Sequence, residues 1–328
     1  MKPHPTILIV AQAGRLTYEA VLFAASLRAS SPEWTGRLVV AEPEPGPLWA
    51  DEPGIVDKEA RTLLAELGAE ILSFPSLHFG AGYPYGNKIE ALSTLDATEP
   101  FVFFDSDTLV TGNLNDVPFD LNRPTASMAR EGTWPEIQVY GPGYNATWGA
   151  IFERFEVPFT PTLDLSQPDE HWERYLYFNA GWFFHHSAHE FRDRMLRIML
   201  SIRDDPLPEL VSQSLNPWLD QVALPVAIAS LGGGRPGPEL AGLDGETTIH
   251  WRALPLFYAK ATDAQLDFFE TLTRPNKIKK VLKAYDPFKR MIYQRRGTRV
   301  RALFDRTKLP KKEQSIRARI KREKLWMR

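Results

Sequence analysis

The sequence contains no cysteine, and this absence excludes two kinds of site. Without thiols the chain can form neither a disulfide framework nor a thiolate metal centre. Any bound metal ion would therefore be held by histidine or oxygen ligands. The absence also fits a reducing compartment, where disulfides are rare, so we expect a cytoplasmic protein.

Long apolar runs are absent as well. The longest mostly apolar stretch after the first strand pattern, VALPVAIASLGGG, is too short to cross a bilayer and contains Pro225. The stretch MKPHPTILIVAQAG has one lysine and a very short apolar part, unlike a signal peptide. We therefore expect a protein that is neither exported nor embedded in a membrane.

The composition is otherwise that of a globular protein with a large core. The chain has 328 residues, of which 43% are hydrophobic and 24% are charged. In its first hundred residues, short apolar strand patterns alternate with segments of helical spacing. The strand patterns are TILIVA, GRLVVAE, EILSF and FVFFD. This alternation predicts an α/β fold with a mostly parallel sheet and helices on both of its faces.

Two acids follow the fourth strand pattern. In FVFFDSDTLVTG, the apolar run Phe101–Phe104 predicts a strand that is buried on both faces. Asp105 and Asp107 come next, at the carboxyl end of the strand, where sheets of this type bind ligands. Two carboxylates one residue apart can ligate a hard divalent cation. The stretch therefore predicts a metal site at this edge of the sheet.

The later segments predict more of the same fold. YLYFNAGWFFHH has the pattern of another core strand, and GETTIHWRALP that of a late strand carrying His250. SAHEFRDRMLRIMLSIR is an amphipathic helix pattern. NPWLDQVALPVAIAS predicts a further helix, with Pro217 in its first turn.

Four segments resemble one family, the glycogenin-like retaining glycosyltransferases of family eight. NKIEALSTLDATEPFVFFDSDTLVTGNLNDV is similar to the core of those enzymes. FNAGWFF, LDQVAL and TIHW resemble three later landmarks of the family, in the same order. Together the four segments span Asn87 to Trp251, about half of the chain.

The resemblance implies a GT-A fold, which is Rossmann-like and binds a nucleoside-diphosphate sugar, most often a UDP-sugar. It also implies that a glycan or lipid-linked acceptor receives the sugar. The implied metal ligands, for Mn²⁺ or Mg²⁺, are Asp105, Asp107 and His250. The implied donor-binding residues are Lys88, Asp105, Ser106, Asp107, Asn179, Ala180 and Gly181. The implied catalytic residues are Asp220, Gln221 and Asn179.

The sequence departs from the family after its histidine. The family usually has a glycine and then a phosphate-binding lysine there, but HWRALPLFYAK has no glycine and reaches Lys260 only later. The phosphate-binding role is therefore open between Lys260 and Arg252. Tyr18, in the segment AQAGRLTY after the first strand, is expected to pack rather than to stack on a base.

Three other functions compete with this interpretation. D-x-D-x-T also occurs in haloacid dehalogenase-type phosphatases, with Asp105 as nucleophile, but that motif normally ends the first strand of its domain. A sugar nucleotidyltransferase would need a glycine-rich phosphate loop after the first strand, and AQAGRL is poor in glycine. A non-catalytic membrane or nucleic-acid binding module on the same fold would not need Asp105, Asp107 and His250 intact.

The last 55 residues are strongly basic. Residues 274–328 hold 21 Lys/Arg and 4 Asp/Glu, a net charge of +17, whereas the remainder carries −19. Ile278, Val281, Leu282 and Tyr285 have helical apolar spacing within the basic run. We therefore predict a GT-A domain at 1–273 and a basic amphipathic tail at 274–328. The expected partner of the tail is an anionic membrane surface on the cytoplasmic side, with nucleic acid less favoured.

Overall fold

The computed structural model describes residues 4–130 and 132–327, and its strands form two sheets. The strands are β1 (Thr6–Val10), β2 (Leu38–Pro43), β3 (Ala69–Phe74), β4 (Phe101–Phe104), β5 (Thr108–Val110), β6 (Trp182–His185) and β7 (Thr248–His250). The main sheet has the order β3-β2-β1-β4-β6, in which β6 alone is antiparallel to its neighbour. Strands β5 and β7 form a separate antiparallel pair. The predicted α/β class with a mostly parallel sheet is confirmed.

Helices cover both faces of the main sheet. The α-helices of the described residues are α1 (Arg15–Ser30), α2 (Lys58–Glu66), α3 (Asn87–Glu90), α4 (Tyr144–Arg154), α5 (Ala188–Asp204), α6 (Leu219–Ser230), α7 (Leu254–Lys260), α8 (Asp263–Thr273), α9 (Asn276–Leu282), α10 (Asp286–Phe288), α11 (Arg296–Arg301) and α12 (Glu313–Arg322). Val102 and Phe104 of β4 pack with α1 and α2, whereas Phe101 and Phe103 pack with α5 and α6. Burial on both faces is why β4 is apolar throughout.

The predicted strand YLYFNAGWFFHH is wrong in its first half. Only Trp182–His185 pair with β4. Before them, the backbone N–H of Asn179 donates to Ser127 O, and Ala180 has a positive φ of 56°. A residue in that conformation turns the chain, so an extended ladder cannot run through it.

Two segments with helical patterns form shorter helices than those patterns predict. In NKIEALSTLDA the spacing of Ile89, Leu92 and Leu95 predicts one helix, but the segment forms α3 and then a single 3₁₀ turn, Ala91–Thr94. Helix α6 begins at Leu219, so Pro217 lies before its first turn rather than within it. Both shifts concern helix ends, where sequence patterns are least decisive.

The apolar side chains of residues 274–328 belong to the core. They share one cluster with α1, α2, α7 and one face of the main sheet. The buried ones are Ile278, Val281, Leu282, Phe288, Met291, Val300, Phe304, Ile316, Ile320 and Leu325. The predicted boundary between 1–273 and 274–328 falls in the turn between α8 and α9, and apolar packing continues across it. The division into two units stays a prediction.

Part of the charge asymmetry is balanced across this packing. Lys277 Nζ lies 3.0 Å from Glu66 Oε2 of α2, and Arg306 Nη1 lies 2.9 Å from Asp263 Oδ1 of α8. Exposed ion pairs of this kind contribute about 0–1 kcal/mol each. The burial of apolar side chains therefore contributes more than these ion pairs to holding the C-terminal segment on the body.

Within residues 4–130 and 132–327, no helix combines the length and the apolar character needed to cross a bilayer.

If residues 274–328 share the core, a cavity in their packing should destabilise the whole chain. Ile320 is fully buried, so Ile320→Ala should lower the free energy of unfolding by about 2–5 kcal/mol in a single transition. Urea unfolding followed by tryptophan fluorescence measures this. The matched control, Lys311→Ala at an exposed position, should change it by less than about 0.5 kcal/mol. A separate early transition with an unchanged main midpoint would instead show that the tail folds as its own unit.

Candidate active site

The site lies where the chain reverses its direction across the main sheet. From β1 the chain builds outward to β2 and β3, and it then returns to place β4 on the other side of β1. The carboxyl ends of β1 and β4 are the topological switch point of the sheet, where folds of this kind bind ligands. A cavity of about 550 Å³ opens there, lined by Gln12 and Arg15 after β1 and by Asp105, Ser106 and Asp107 after β4.

His250 reaches the two acids through backbone pairing. Thr108, the first residue of β5, is the register partner of His250 in β7, and Trp251 N–H donates to Asp107 O over 2.9 Å. His250 Nε2 consequently lies 3.1 Å from Asp107 Oδ1 and 3.7 Å from Asp105 Oδ2. One ligand atom from each of the three residues lies within 4.8 Å of the other two. The structure thus brings together the three predicted metal ligands.

The chemistry of this cluster fits a hard divalent cation. Two carboxylates and one imidazole are donors that Mn²⁺ and Mg²⁺ accept. Burial raises the pKa of Asp105, although Lys88 and His250 act in the opposite direction. Burial acts to lower the pKa of His250, but Asp107 and Asp105 outweigh it and raise the pKa. A bound cation would supply positive charge between the two carboxylates.

Gly181 leaves the room that His250 occupies. A Cβ atom at this position would lie 2.5 Å from His250 Nδ1 and 2.9 Å from Asn179 Oδ1. Both distances are far below van der Waals contact, so any side chain would displace the imidazole or the Asn179 amide. The predicted donor-binding role of Gly181 stays a prediction, whereas its steric role follows from the structure.

Lys88 joins the acids after β4 to α6. Its Nζ lies 3.0 Å from Asp105 Oδ1 and 3.3 Å from Asp220 Oδ2, and it donates to Ala180 O over 3.3 Å. Burial acts to lower the pKa of Lys88, but the two carboxylates raise it above its ordinary value. The ammonium group is thus charged, and its removal would leave two carboxylates without their shared partner in a buried site.

The start of α6 presents Asp220 and Gln221 to the same cavity. Asp220 is buried, and the Tyr83 hydroxyl lies 2.8 Å from its Oδ1. The Tyr177 hydroxyl donates to Gln221 Oε1 over 2.8 Å. Each side chain is therefore oriented by a tyrosine, and the amide NH₂ of Gln221 remains available as a donor.

The turn that precedes β6 uses the Asn179 side chain to hold its own shape. Asn179 Oδ1 accepts a hydrogen bond from Gly181 N–H over 2.7 Å, and Asn179 Nδ2 donates to Ala129 O. The turn includes the positive φ of Ala180. Asn179 lines the cavity, but its amide already serves the backbone on both sides. Its geometry favours a positioning role over direct contact with a sugar.

Several residues of the cavity were not predicted from the sequence. Asn87 is buried and lines the cavity, yet neither atom of its amide has a hydrogen-bond partner in the described part of the chain. The hydroxyl of Ser106, a predicted residue, is also buried and lacks a partner there. Buried polar groups without partners are expected where a polar ligand binds. Asn87 could have been found, since it stands next to Lys88 in the family-like segment.

Three arginines that line the cavity were not predicted from the sequence. They are Arg15, Arg130 and Arg317. Arg15 Nη1 lies 3.6 Å from Asp107 Oδ2. Its position in the segment that follows β1 is the sequence feature from which its place in the cavity could have been predicted. Arg130 stands over the Trp172 ring at 4.3 Å, and burial lowers its pKa to about 10. It lies in an irregular loop whose position no sequence pattern predicts.

Both candidates for the phosphate-binding cation line a cavity. Arg252 lines the main cavity and also a smaller one beside it, and Lys260 lines the smaller one. Their phosphate-binding role stays a prediction. Tyr18 packs in the core against Tyr285, with ring centroids 5.2 Å apart, as expected.

Three solved structures to which the chain is similar are distant from it in sequence. An apo structure of the bifunctional glycosyltransferase WbbM is 15% identical, with 86% of this chain and 52% of WbbM covered and a TM-score of 0.48. The galactosyltransferase LgtC, in complex with donor and acceptor sugar analogs, is 14% identical, with 95% and 99% covered and a TM-score of 0.43. Mouse xyloside xylosyltransferase 1 is 12% identical, with 71% and 84% covered and a TM-score of 0.37. The chain spans about half the length of WbbM.

The family assignment rests on sequence. No curated protein matches the chain. A family model described as the Rhodobacterales glycosyltransferase domain matches residues 7–232, which is well over half of the chain and includes both acids after β4. The family model thereby confirms the predicted resemblance to glycosyltransferases. The chain belongs to the Rhodobacterales glycosyltransferase domain family, and the protein is a glycosyltransferase.

Proposed function

We propose that this glycosyltransferase is a metal-dependent, retaining enzyme that takes a sugar from a UDP-sugar. The observation that carries the proposal is the convergence of Asp105, Asp107 and His250 at the switch point of the sheet. The cavity of about 550 Å³ beside them is within the usual size range of small-molecule sites. The acceptor would be a glycan or a lipid-linked sugar.

In this proposal Asp105, Asp107 and His250 hold Mn²⁺ or Mg²⁺, and Gly181 leaves space for the imidazole. When bound, the cation would neutralise charge on the donor's diphosphate as that group leaves. Lys88 keeps Asp105 in place and adds a positive charge of its own at the same end of the cavity.

Asp220 and Gln221 would face the transferred sugar, and Asn179 would hold the shape of the turn beside them. Lys88 and Tyr83 hold the Asp220 carboxylate at the cavity, where its negative charge would stabilise positive charge developing on the sugar. The bond from the anomeric carbon to the diphosphate breaks, and a bond to the acceptor oxygen forms on the same face. The acceptor proton passes to the leaving phosphate oxygen, so no separate protein base is required.

The exposed basic residues of the C-terminal segment support a second part of the proposal, contact with an anionic membrane surface. Most apolar side chains of the segment are buried in the core or packed against it, so they are not free to insert into a membrane. The attraction would therefore be electrostatic, at about 1 kcal/mol for each basic residue near the surface.

The metal site is tested by removing one ligand. Asp107→Asn should weaken Mn²⁺ binding at least about tenfold, because even partners outside the coordination sphere are commonly worth that much. Calorimetry on the full chain measures the affinity. Asp267→Asn, an exposed position on α8, is the matched control and should leave it unchanged. Equal Mn²⁺ affinity in both variants would exclude Asp107 as a ligand.

The reaction class is tested with UDP-, GDP- and CDP-sugars. The protein should release nucleoside diphosphate slowly in water and faster with an acceptor, and the new bond should keep the anomeric configuration of the donor. Proton NMR of the product gives that configuration. Cleavage of simple phosphate monoesters with phosphorylation of Asp105 would support the phosphatase alternative instead.

Membrane contact is tested by co-sedimentation with phosphatidylglycerol vesicles. Lys311 and Lys312 are exposed, and reversing both charges to Glu should weaken binding by about 30-fold or more at physiological salt. Lys58→Glu with Arg197→Glu makes the same change of net charge on the body and should have little effect. Equal sedimentation of all three proteins, or stronger binding of the wild type to RNA than to vesicles, would exclude the membrane as partner of the tail.

A further inference from the structure

The C-terminal segment forms one wall of the active-site cavity. Glu313 and Arg317 of α12, and Trp326 after it, line the same cavity as the two acids after β4. These three residues lie outside the stretch that the family model matches, residues 7–232. The apolar residues that anchor the wall in the core are Ile316, Ile320 and Leu325. Because the segment is anchored, it presents its polar side chains to the cavity from a fixed position.

Glu313 connects this wall to the metal end of the cavity. The carboxylate is buried, and it lies 3.0 Å from Lys260 Nζ and 3.6 Å from Arg252 Nη1. Arg252 follows the predicted ligand His250 by two residues. Burial acts to raise the pKa of Glu313, but the neighbouring cations, Lys260 foremost, hold it below its ordinary value. Helix α12 is thus tied by a charged group to the strand end that carries His250.

Arg317 is the side chain of this wall that can bind an anion. Its Nη2 donates to Glu313 Oε1 over 3.0 Å, and its guanidinium lies over the Trp326 ring at 5.0 Å from the centroid. A guanidinium has five N–H donors in a rigid plane, so this one hydrogen bond occupies a small part of its capacity. The Arg317 side chain is 37% exposed, and it lines the cavity.

We propose that Arg317 binds the diphosphate of the sugar donor, so that the C-terminal segment completes the donor site. The inference rests on the proposed function. Two phosphate oxygens match the fork of a guanidinium, and such charge-assisted pairs are among the strongest hydrogen bonds in proteins. Arg317 and Arg252 both lie within ion-pair distance of Glu313, and Arg252 follows His250 by two residues. The Arg317 guanidinium also lies over the Trp326 ring, a cation–π contact.

Arg322 is a matched control within the same helix. It carries the same charge, its side chain is 74% exposed, and it lies 3.7 Å from Glu323 rather than at the cavity. If the basic residues of α12 served only a membrane or solubility, Arg317 and Arg322 would be equivalent. If Arg317 binds the donor, only its replacement changes nucleotide affinity.

The test compares Arg317→Gln and Arg322→Gln in the full chain. UDP affinity is measured by calorimetry with excess Mn²⁺ and again with EDTA, and GDP and CDP are measured in parallel. Arg317→Gln should weaken binding of the preferred nucleotide about tenfold, equivalent to about 1.4 kcal/mol, in the presence of metal. Arg322→Gln should stay within about twofold of the wild type. Thermal unfolding without ligand checks that both variants fold.

The outcomes separate this inference from the function on which it rests. If the wild type binds a nucleoside diphosphate and Arg317→Gln binds it equally well, Arg317 has no donor role and the proposed function stands. If the wild type binds none of the three, both fail. Should Arg317→Gln not fold, Arg317→Lys carries the test: it keeps the charge but loses the fork, and an affinity equal to that of the wild type would overturn the inference.

Discussion

The candidate site depends on the register of two very short strands. Thr108 of β5 pairs with His250 of β7, and this pairing sets the imidazole opposite the acids that follow β4. Side chains alternate between the two faces of a strand, so a slip of one residue would bring Ile249 or Trp251 to this place. Gly181, which has no side chain, leaves room for the imidazole on the side of its Nδ1 atom. The three-residue pairing of β5 with β7 and the glycine at position 181 thus decide whether the three predicted metal ligands come together.

The same region concentrates charge that a protein interior ordinarily excludes. Lys88 and Asp220 are buried. Lys88 contacts the carboxylates of Asp105 and Asp220, and the Tyr83 hydroxyl also donates to Asp220. Such mutual dependence makes the network hard to change one residue at a time. Burial of charged side chains runs against the ordinary composition of a protein core, and exceptions of this kind are typical of functional sites.

The sequence predicts the sheet and the acids because each depends on local pattern. Apolar strands that end in Asp105 and Asp107 can be recognised without knowledge of the rest of the chain. The turn at Ala180 could not be predicted, since nothing local signals a left-handed backbone at an alanine. The wall made by Arg317 could not be predicted either, because the same apolar spacing that brings α12 onto the core equally resembles a membrane-binding helix.

The residues that line the cavity range along the chain from Val10 to Trp326. The cavity is therefore complete only after the ribosome has made the last of these residues. A ribosome releases both acids and the helices α1 and α2 well before it releases β7 and α12. During that interval the apolar surface that the last helices will cover faces water, and half-made chains with such surfaces are prone to aggregate. A chain interrupted late in synthesis would therefore lack a wall of its cavity and would also be a natural target for chaperones and proteases.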